Sequence, residues 1–144
     1  MIKRYLLLLL LFLPVMAFSQ AGSTSTATDL DNVLEKSELS YAEAVRFVLA
    51  EEDGFERAIA SGWLPKGTKP DGAIKLGELS FLLMKTFDMK GGFMYAILPG
   101  PRYAYREMVS RSLIQGAADP AMKVSGERFL TILGNVLGTA EGEK

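Results

Sequence analysis

The sequence predicts an all-α, or nearly all-α, domain built from tandem helix–loop–helix pseudo-repeats. Three observations support this fold class. Apolar residues recur at helical spacing in successive segments, Gly- and Pro-containing loops separate those segments, and the apolar pattern returns after 50 positions. The chain has no Cys, so no disulfide framework contributes to the fold.

Residues 1–19 have the pattern of a cleavable secretory signal peptide. Lys3 and Arg4 precede a Leu-rich apolar run, and small residues follow that run at Ala17 and Ser19. Cleavage is expected after Ser19, with cleavage after Ala21 as the alternative. The apolar run is shorter than the ~20 residues that a membrane-spanning helix needs. We therefore expect an exported protein, periplasmic or associated with the cell envelope, with no stable membrane span after cleavage.

The charge of the mature chain argues against nucleic-acid binding. The full sequence carries 16 basic and 17 acidic residues, and two of the basic residues lie in the predicted signal peptide. The mature chain therefore has 14 basic and 17 acidic residues, a net charge of −3. Nucleic-acid binding requires a concentration of positive charge that this composition does not provide.

The mature chain divides into three parts by composition. Residues 20–28 are rich in Ser, Thr and Ala without an apolar period, which predicts a disordered leader. A single helical domain is expected over 29–140, and a short tail over 141–144. The domain has room for one hydrophobic core.

Two helices are predicted at the start of this domain. Asp29 or Asp31 is placed to cap the first helix, whose apolar residues follow helical spacing. Ser40 and Glu43 form a capping box that opens the second helix, over 41–50. A following Asp-Gly pair is expected to end it.

The next segments define the first repeat unit. A helix is predicted over 55–63, a loop over 65–72 and a long apolar helix over 74–89. Residues 93–98 are apolar and predict either a short strand or a buried turn of helix. The Pro-Gly-Pro sequence at 99–101 requires a turn.

An ungapped shift of 50 positions aligns units of about 55–89 and 105–139. The apolar positions agree through both helices and the loop between them, as in the pair Ile74 and Val124. Because only two aligned positions are identical among these matches, the repeat predicts shared structure more than a shared surface.

Each unit runs from a helix into an apolar pair, then a Pro-containing loop, a β-branched residue and a second helix. The first unit reads Gly62-Trp63-Leu64, a loop, then Ile74-Lys75-Leu76-Gly77-Glu78-Leu79. The second unit reads Ser112-Leu113-Ile114, a loop, then Val124-Ser125-Gly126-Glu127-Arg128-Phe129. Over roughly 55–138 this plan resembles the S-layer homology motif.

The resemblance implies a helical module located in the cell envelope. In the S-layer homology family, an Arg and a Glu of the motif are associated with binding secondary cell-wall polymer. Glu78 matches the motif Glu, whereas Leu76 and Gly126 stand at the Arg positions and Arg128 stands at the second Glu position. The resemblance therefore mainly implies the helical architecture and the envelope location, and a polymer anchor is the alternative function.

The composition also limits the chemistry. The chain has no His and no Cys, so His bases, Cys nucleophiles and the usual zinc ligand sets are absent. Residues 71–78 copy the second half of an EF-hand loop, but Gly67 and Lys69 stand where calcium needs oxygen ligands. We expect no enzyme activity, no metal site and no cofactor. Glu78 is more simply a first-turn acid facing a helix N-terminus.

Aromatic and Arg residues cluster around the Pro-Gly-Pro turn. The candidate binding residues are Tyr95, Arg102, Tyr103, Arg106 and Arg111, together with Glu78. Aromatic and Arg side chains are the usual anchors of protein contacts. The predicted function is therefore a non-catalytic interaction or scaffold module whose partner is an envelope protein or a second copy, with a cell-wall polymer as the alternative ligand.

Overall fold

A computed structural model describes residues 23–116 and 119–142 of the chain. The described residues form seven α-helices: α1 Ser23–Leu34, α2 Tyr41–Leu49, α3 Gly54–Ala60, α4 Leu76–Thr86, α5 Phe93–Ile97, α6 Pro101–Ser110 and α7 Gly126–Gly142. Within these two ranges the extended backbone pairings are isolated antiparallel bridges, Ser40 with Ala73 and Lys75 with Lys123. The predicted all-α class is confirmed.

The two ends of the predicted domain require correction. Helix α1 begins at Ser23, so 23–28 are helical although the sequence predicts a disordered leader there. Val33 is buried and α1 packs on α7, and this tertiary contact supports a helix whose first residues have no apolar period. Helix α7 likewise continues to Gly142, two residues into the predicted tail.

The predicted signal peptide lies outside the described residues, as do both alternative cleavage positions. Residues 20–22 of the predicted leader and the last two residues of the tail also lie outside them. In the part of the chain that is described, no helix combines the length and the apolar character needed to cross a membrane.

The capping box at the start of α2 is confirmed. The Ser40 hydroxyl accepts a hydrogen bond from the Glu43 backbone N–H at 3.3 Å, and the Glu43 carboxylate accepts one from the Ser40 N–H at 3.1 Å. The helix ends at Leu49, and its C-cap residue Ala50 adopts the left-handed conformation with φ of 53° and donates its N–H to the Arg46 carbonyl.

The 50-residue repeat recurs in backbone hydrogen bonds. After α3 the Trp63 N–H donates to the Ala58 carbonyl at 2.9 Å, and after α6 the Leu113 N–H donates to the Met108 carbonyl at 2.9 Å. Helices α4 and α7, which open the second half of each unit, also begin 50 residues apart. The two predicted units therefore have the same local structure at these positions.

Three backbone segments close a ring at the centre of the molecule. The Leu39 N–H donates to the Val124 carbonyl at 2.8 Å, the Val124 N–H to the Ile74 carbonyl at 3.1 Å, and the Ile74 N–H to the Leu39 carbonyl at 2.9 Å. All three side chains are fully buried. Each residue lies two positions before a helix, namely α2, α4 or α7. We call these three residues the central ring.

The central ring reveals a third unit that the sequence comparison does not find. The α1–α2 pair corresponds to the α3–α4 pair of the first predicted unit and to the α6–α7 pair of the second. Ile74 follows Leu39 by 35 residues, whereas Val124 follows Ile74 by 50. The longer spacing accommodates α5 and its flanking turns. A gapless shift of 50 positions therefore cannot align the α1–α2 unit with the other two.

Helix α4 is the most buried element and packs on α2 and α6, while α3 packs on α2. Helix α5 occupies residues predicted as a short strand or a buried turn of helix. The helix is present, but four of its side chains and that of its C-cap residue, Leu98, are exposed. This exposure corrects the prediction of a buried segment, and it places α5 at the edge of the molecule beside α6.

Candidate functional site

Glu78 connects two units of the fold. The Tyr41 hydroxyl donates a hydrogen bond to its carboxylate, and the Lys75 backbone N–H donates another at 3.3 Å. Burial raises the pKa of Tyr41, and the hydrogen bond to Glu78 and the charge of Glu78 raise it further. The Glu78 carboxylate is therefore used to join α2 to α4, and the structure does not place it with the other predicted binding residues.

The predicted tyrosine anchors turn inward. Tyr95 is buried on the inner side of α5, with its ring edge-on to the Phe81 ring at a centroid distance of 6.4 Å. Burial raises the pKa of the Tyr95 hydroxyl. Tyr103 is half-buried and packs against the core, as does Tyr105. Tyr95 is thus corrected from a surface anchor to a core residue.

The three predicted arginines have different environments. Arg111 donates from Nε to Glu107 at 3.1 Å and also donates to the Lys90 carbonyl. The same Glu107 accepts a hydrogen bond from the Gly92 N–H at 2.9 Å. These contacts hold α6 to the segment that precedes α5, so Arg111 has a structural role. Arg102 and Arg106, by contrast, are exposed on α6.

An apolar surface on α5 is the feature that sequence reasoning missed. Phe93 is 77% exposed, and Met94, Ile97 and Leu98 are each between 46% and 56% exposed. We call these four residues the α5 face. Contiguous exposed apolar side chains mark interaction sites, whereas single ones are ordinary. The sequence did contain a signal for this surface, namely the shortness of the apolar segment between Gly-Gly and Pro-Gly-Pro. A five-residue helix contacts few other elements, so one of its sides stays uncovered.

A groove between α5 and α6 brings Arg106 to this surface, together with Glu107, whose carboxylate is bound to Arg111. It has a volume of about 320 Å³, and Phe93, Met94, Tyr103 and Arg106 contribute to its lining. Residues 85–111 carry five basic and two acidic side chains, a local charge of +3 in a mature chain of net −3. The structure therefore combines an exposed apolar helix face with positive charge.

Comparisons with known proteins give no match: no family model, no curated protein and no solved structure is significantly similar to this chain. The resemblance to the S-layer homology family stays a prediction from the sequence. Among the residues that the structure describes, Asp and Glu side chains form no group of three or more that could hold a metal ion.

Proposed function

We propose that this chain is an exported, non-catalytic module of the cell envelope that acts as a scaffold or interaction domain for protein partners. The observation that carries this proposal is the α5 face, with Arg106 in the adjoining groove and Arg102 nearby on α6. Aromatic and Arg side chains dominate the binding energy of protein interfaces, and a charged rim commonly surrounds their apolar centre.

The α5 face is held in a defined position. The Gly92 N–H is bonded to Glu107 immediately before α5, and the Tyr95 side chain fixes the inner side of the helix against Phe81. A surface that is ordered before binding loses less conformational entropy when a partner docks. This arrangement favours a dedicated contact surface over an incidental patch.

A cell-wall polymer anchor is the second candidate function. One observation favours it: the central ring raises the number of units to three, the number that S-layer homology domains commonly assemble. The extra unit reads Leu39-Ser40-Tyr41-Ala42-Glu43, with Glu43 at the position of the motif Glu. Tyr41, Leu76 and Gly126 stand at the three Arg positions, so bidentate recognition of an anionic polymer is missing from this motif.

Cosedimentation separates the two functions. The mature protein should be retained on untreated envelopes and not on protein-free sacculi, at both ~50 and ~200 mM salt, a range over which purely electrostatic contacts weaken. Retention should be lost when Phe93→Ala is combined with Arg106→Ala. Leu137→Ala is the control because Leu137 is an exposed apolar residue on α7, away from the α5 face. Tight retention on protein-free sacculi would instead establish the polymer anchor.

Export is tested separately. N-terminal sequencing of the protein from an envelope fraction should begin at Gln20, or at Gly22 if cleavage follows Ala21. Recovery of intact Met1 from a soluble cytoplasmic fraction would contradict the proposed location.

A further inference from the structure

A cleft between α1 and the end of α2 lies in a region whose net charge is opposite in sign to that of the segment around α5. Phe47 and Ala50 contribute to its apolar lining, and three acidic residues and one basic residue also line it: Asp29, Glu51, Glu52 and Arg46. Its volume is about 280 Å³. A cavity of about 150 Å³ is enough to bind benzene, so the cleft has room for a phenyl ring. We call it the acidic cleft.

The charges of the two regions are complementary. Residues 29–56, which supply most of the acidic cleft, carry nine acidic and two basic side chains, a local charge of −7. Ion pairs neutralise part of this charge. At the cleft, Arg46 is bound to Asp29 at 2.8 Å and Arg57 to Glu51 at 2.6 Å, and elsewhere in the region Lys36 is bound to Glu43 and Lys123 to Glu38. The remaining negative charge is available to attract the +3 region around α5.

The same charges argue against a symmetric contact between two α5 faces. Such a contact would bring Lys90, Arg102 and Arg106 of one copy towards the same residues of the other, and like charges across an interface are costly. The acidic cleft lies on α1 and α2, whereas the α5 face lies on α5 and its C-cap, so one copy has both surfaces available at once.

We infer that the α5 face of one copy docks into the acidic cleft of a second copy, with the Phe93 ring as the inserted side chain. This inference rests on the proposed function and names the protein partner of the α5 face as the chain itself. Because the two contacting surfaces differ, the interface is heterologous, and successive copies add head to tail until a ring closes or a chain grows.

Sedimentation velocity of the mature protein provides the first test. The average mass should rise above that of a monomer with increasing concentration, and it should fall when salt is raised from ~50 to ~500 mM, because exposed charges are then screened over a shorter distance. Phe93→Asp should remove self-association, and so should Glu51→Lys combined with Glu52→Lys. All three positions are exposed, so both variants should keep the melting temperature of the parent within a few degrees, checked by circular dichroism.

A mixture of these two variants tests the head-to-tail arrangement. The Phe93→Asp protein retains an acidic cleft, and the Glu51→Lys, Glu52→Lys protein retains an α5 face. Mixed in equal amounts, they should form a one-to-one dimer through the single intact interface and nothing larger. Leu137→Asp, and Glu127→Lys combined with Glu141→Lys, are matched controls on α7 that should self-associate like the parent protein.

Three outcomes would overturn the inference. A parent protein that stays monomeric at every concentration excludes self-association, although Phe93-dependent retention on envelopes would still support the proposed function. Two variants that fail to form the mixed dimer exclude the head-to-tail arrangement. Phe93-dependent binding of monomers to protein-free phosphatidylglycerol vesicles would overturn both this inference and the protein-partner function.

Discussion

The central ring and the α5 face contain the same kinds of side chain in opposite environments. Ile74 in the ring is 0% exposed, whereas Ile97 on α5 is 56% exposed. The ring also satisfies its buried backbone groups through three mutual hydrogen bonds, as buried peptide groups require. The comparison shows that the apolar side chains at the junction of the three units are covered, whereas those of the α5 face remain exposed although Tyr95 anchors the inner side of the same helix in the core.

The same substitution at these two isoleucines should give the largest contrast. Ile74→Ala leaves a cavity inside the ring and should lower the free energy of unfolding by about 2–5 kcal/mol. Ile97→Ala removes an exposed side chain and should change it by less than about 0.5 kcal/mol. Urea unfolding of both variants measures the difference. Equal losses would mean that α5 is part of the stabilising core.

A glycine pair in α7 tests how closely α1 packs on α7. A Cβ at Gly126 would lie 1.6 Å from the Val33 carbonyl oxygen, so Gly126→Ala forces the backbone of α1 to move and should cost about 1–3 kcal/mol. At Gly134 no atom beyond the adjacent backbone of the same helix lies within 4 Å of such a Cβ, and Gly134→Ala should stabilise the helix by about 0.5–1 kcal/mol. Thermal unfolding should therefore shift in opposite directions, and a stabilising Gly126→Ala would contradict the described junction.

Removing one hydroxyl tests the contact between α2 and α4. Tyr41→Phe deletes the hydrogen bond to Glu78 while keeping the buried ring. It should lower the free energy of unfolding by about 1.5 kcal/mol, which is the upper value for a neutral hydrogen bond and the lower value for one to a charged group. Tyr103→Phe, on α6, is the control and should have less than half that effect. If Tyr41→Phe were neutral in urea unfolding, Glu78 would be free for the ligand role predicted from the sequence.

The smallest effect concerns Glu43 and pH. Burial alone would raise its pKa, but hydrogen bonds from Lys36 and Ser40 outweigh burial and hold the pKa below its ordinary value. The stabilisation should therefore be complete at neutral pH and decline as the pH falls through the lowered pKa. Its size should stay under about 1 kcal/mol, because the pair is partly exposed.

Glu43→Gln isolates this effect, because Gln can keep the capping box while losing the charge. The free energy of unfolding of the parent minus that of the variant should be positive at neutral pH and should fall to zero in acid. A difference that grows on acidification would reverse the assigned sign.

The sequence by itself determined the features that depend on neighbouring residues. Ser40 and Glu43 lie three positions apart, so their capping box forms wherever that helix starts. The common register of α4 and α7 follows from apolar spacing within each unit, which the 50-residue shift detects. These features require only the geometry of a single helix or a repeated segment.

Only the tertiary structure decided which surface of each element is covered. Tyr95 and Phe93 lie two residues apart on α5, and packing against Phe81 buries the first while the second remains exposed. The central ring likewise joins Leu39 to Val124 across 85 positions of sequence. Burial and ring closure depend on residues from distant parts of the chain, and a local apolar pattern does not specify which distant residues pack against it.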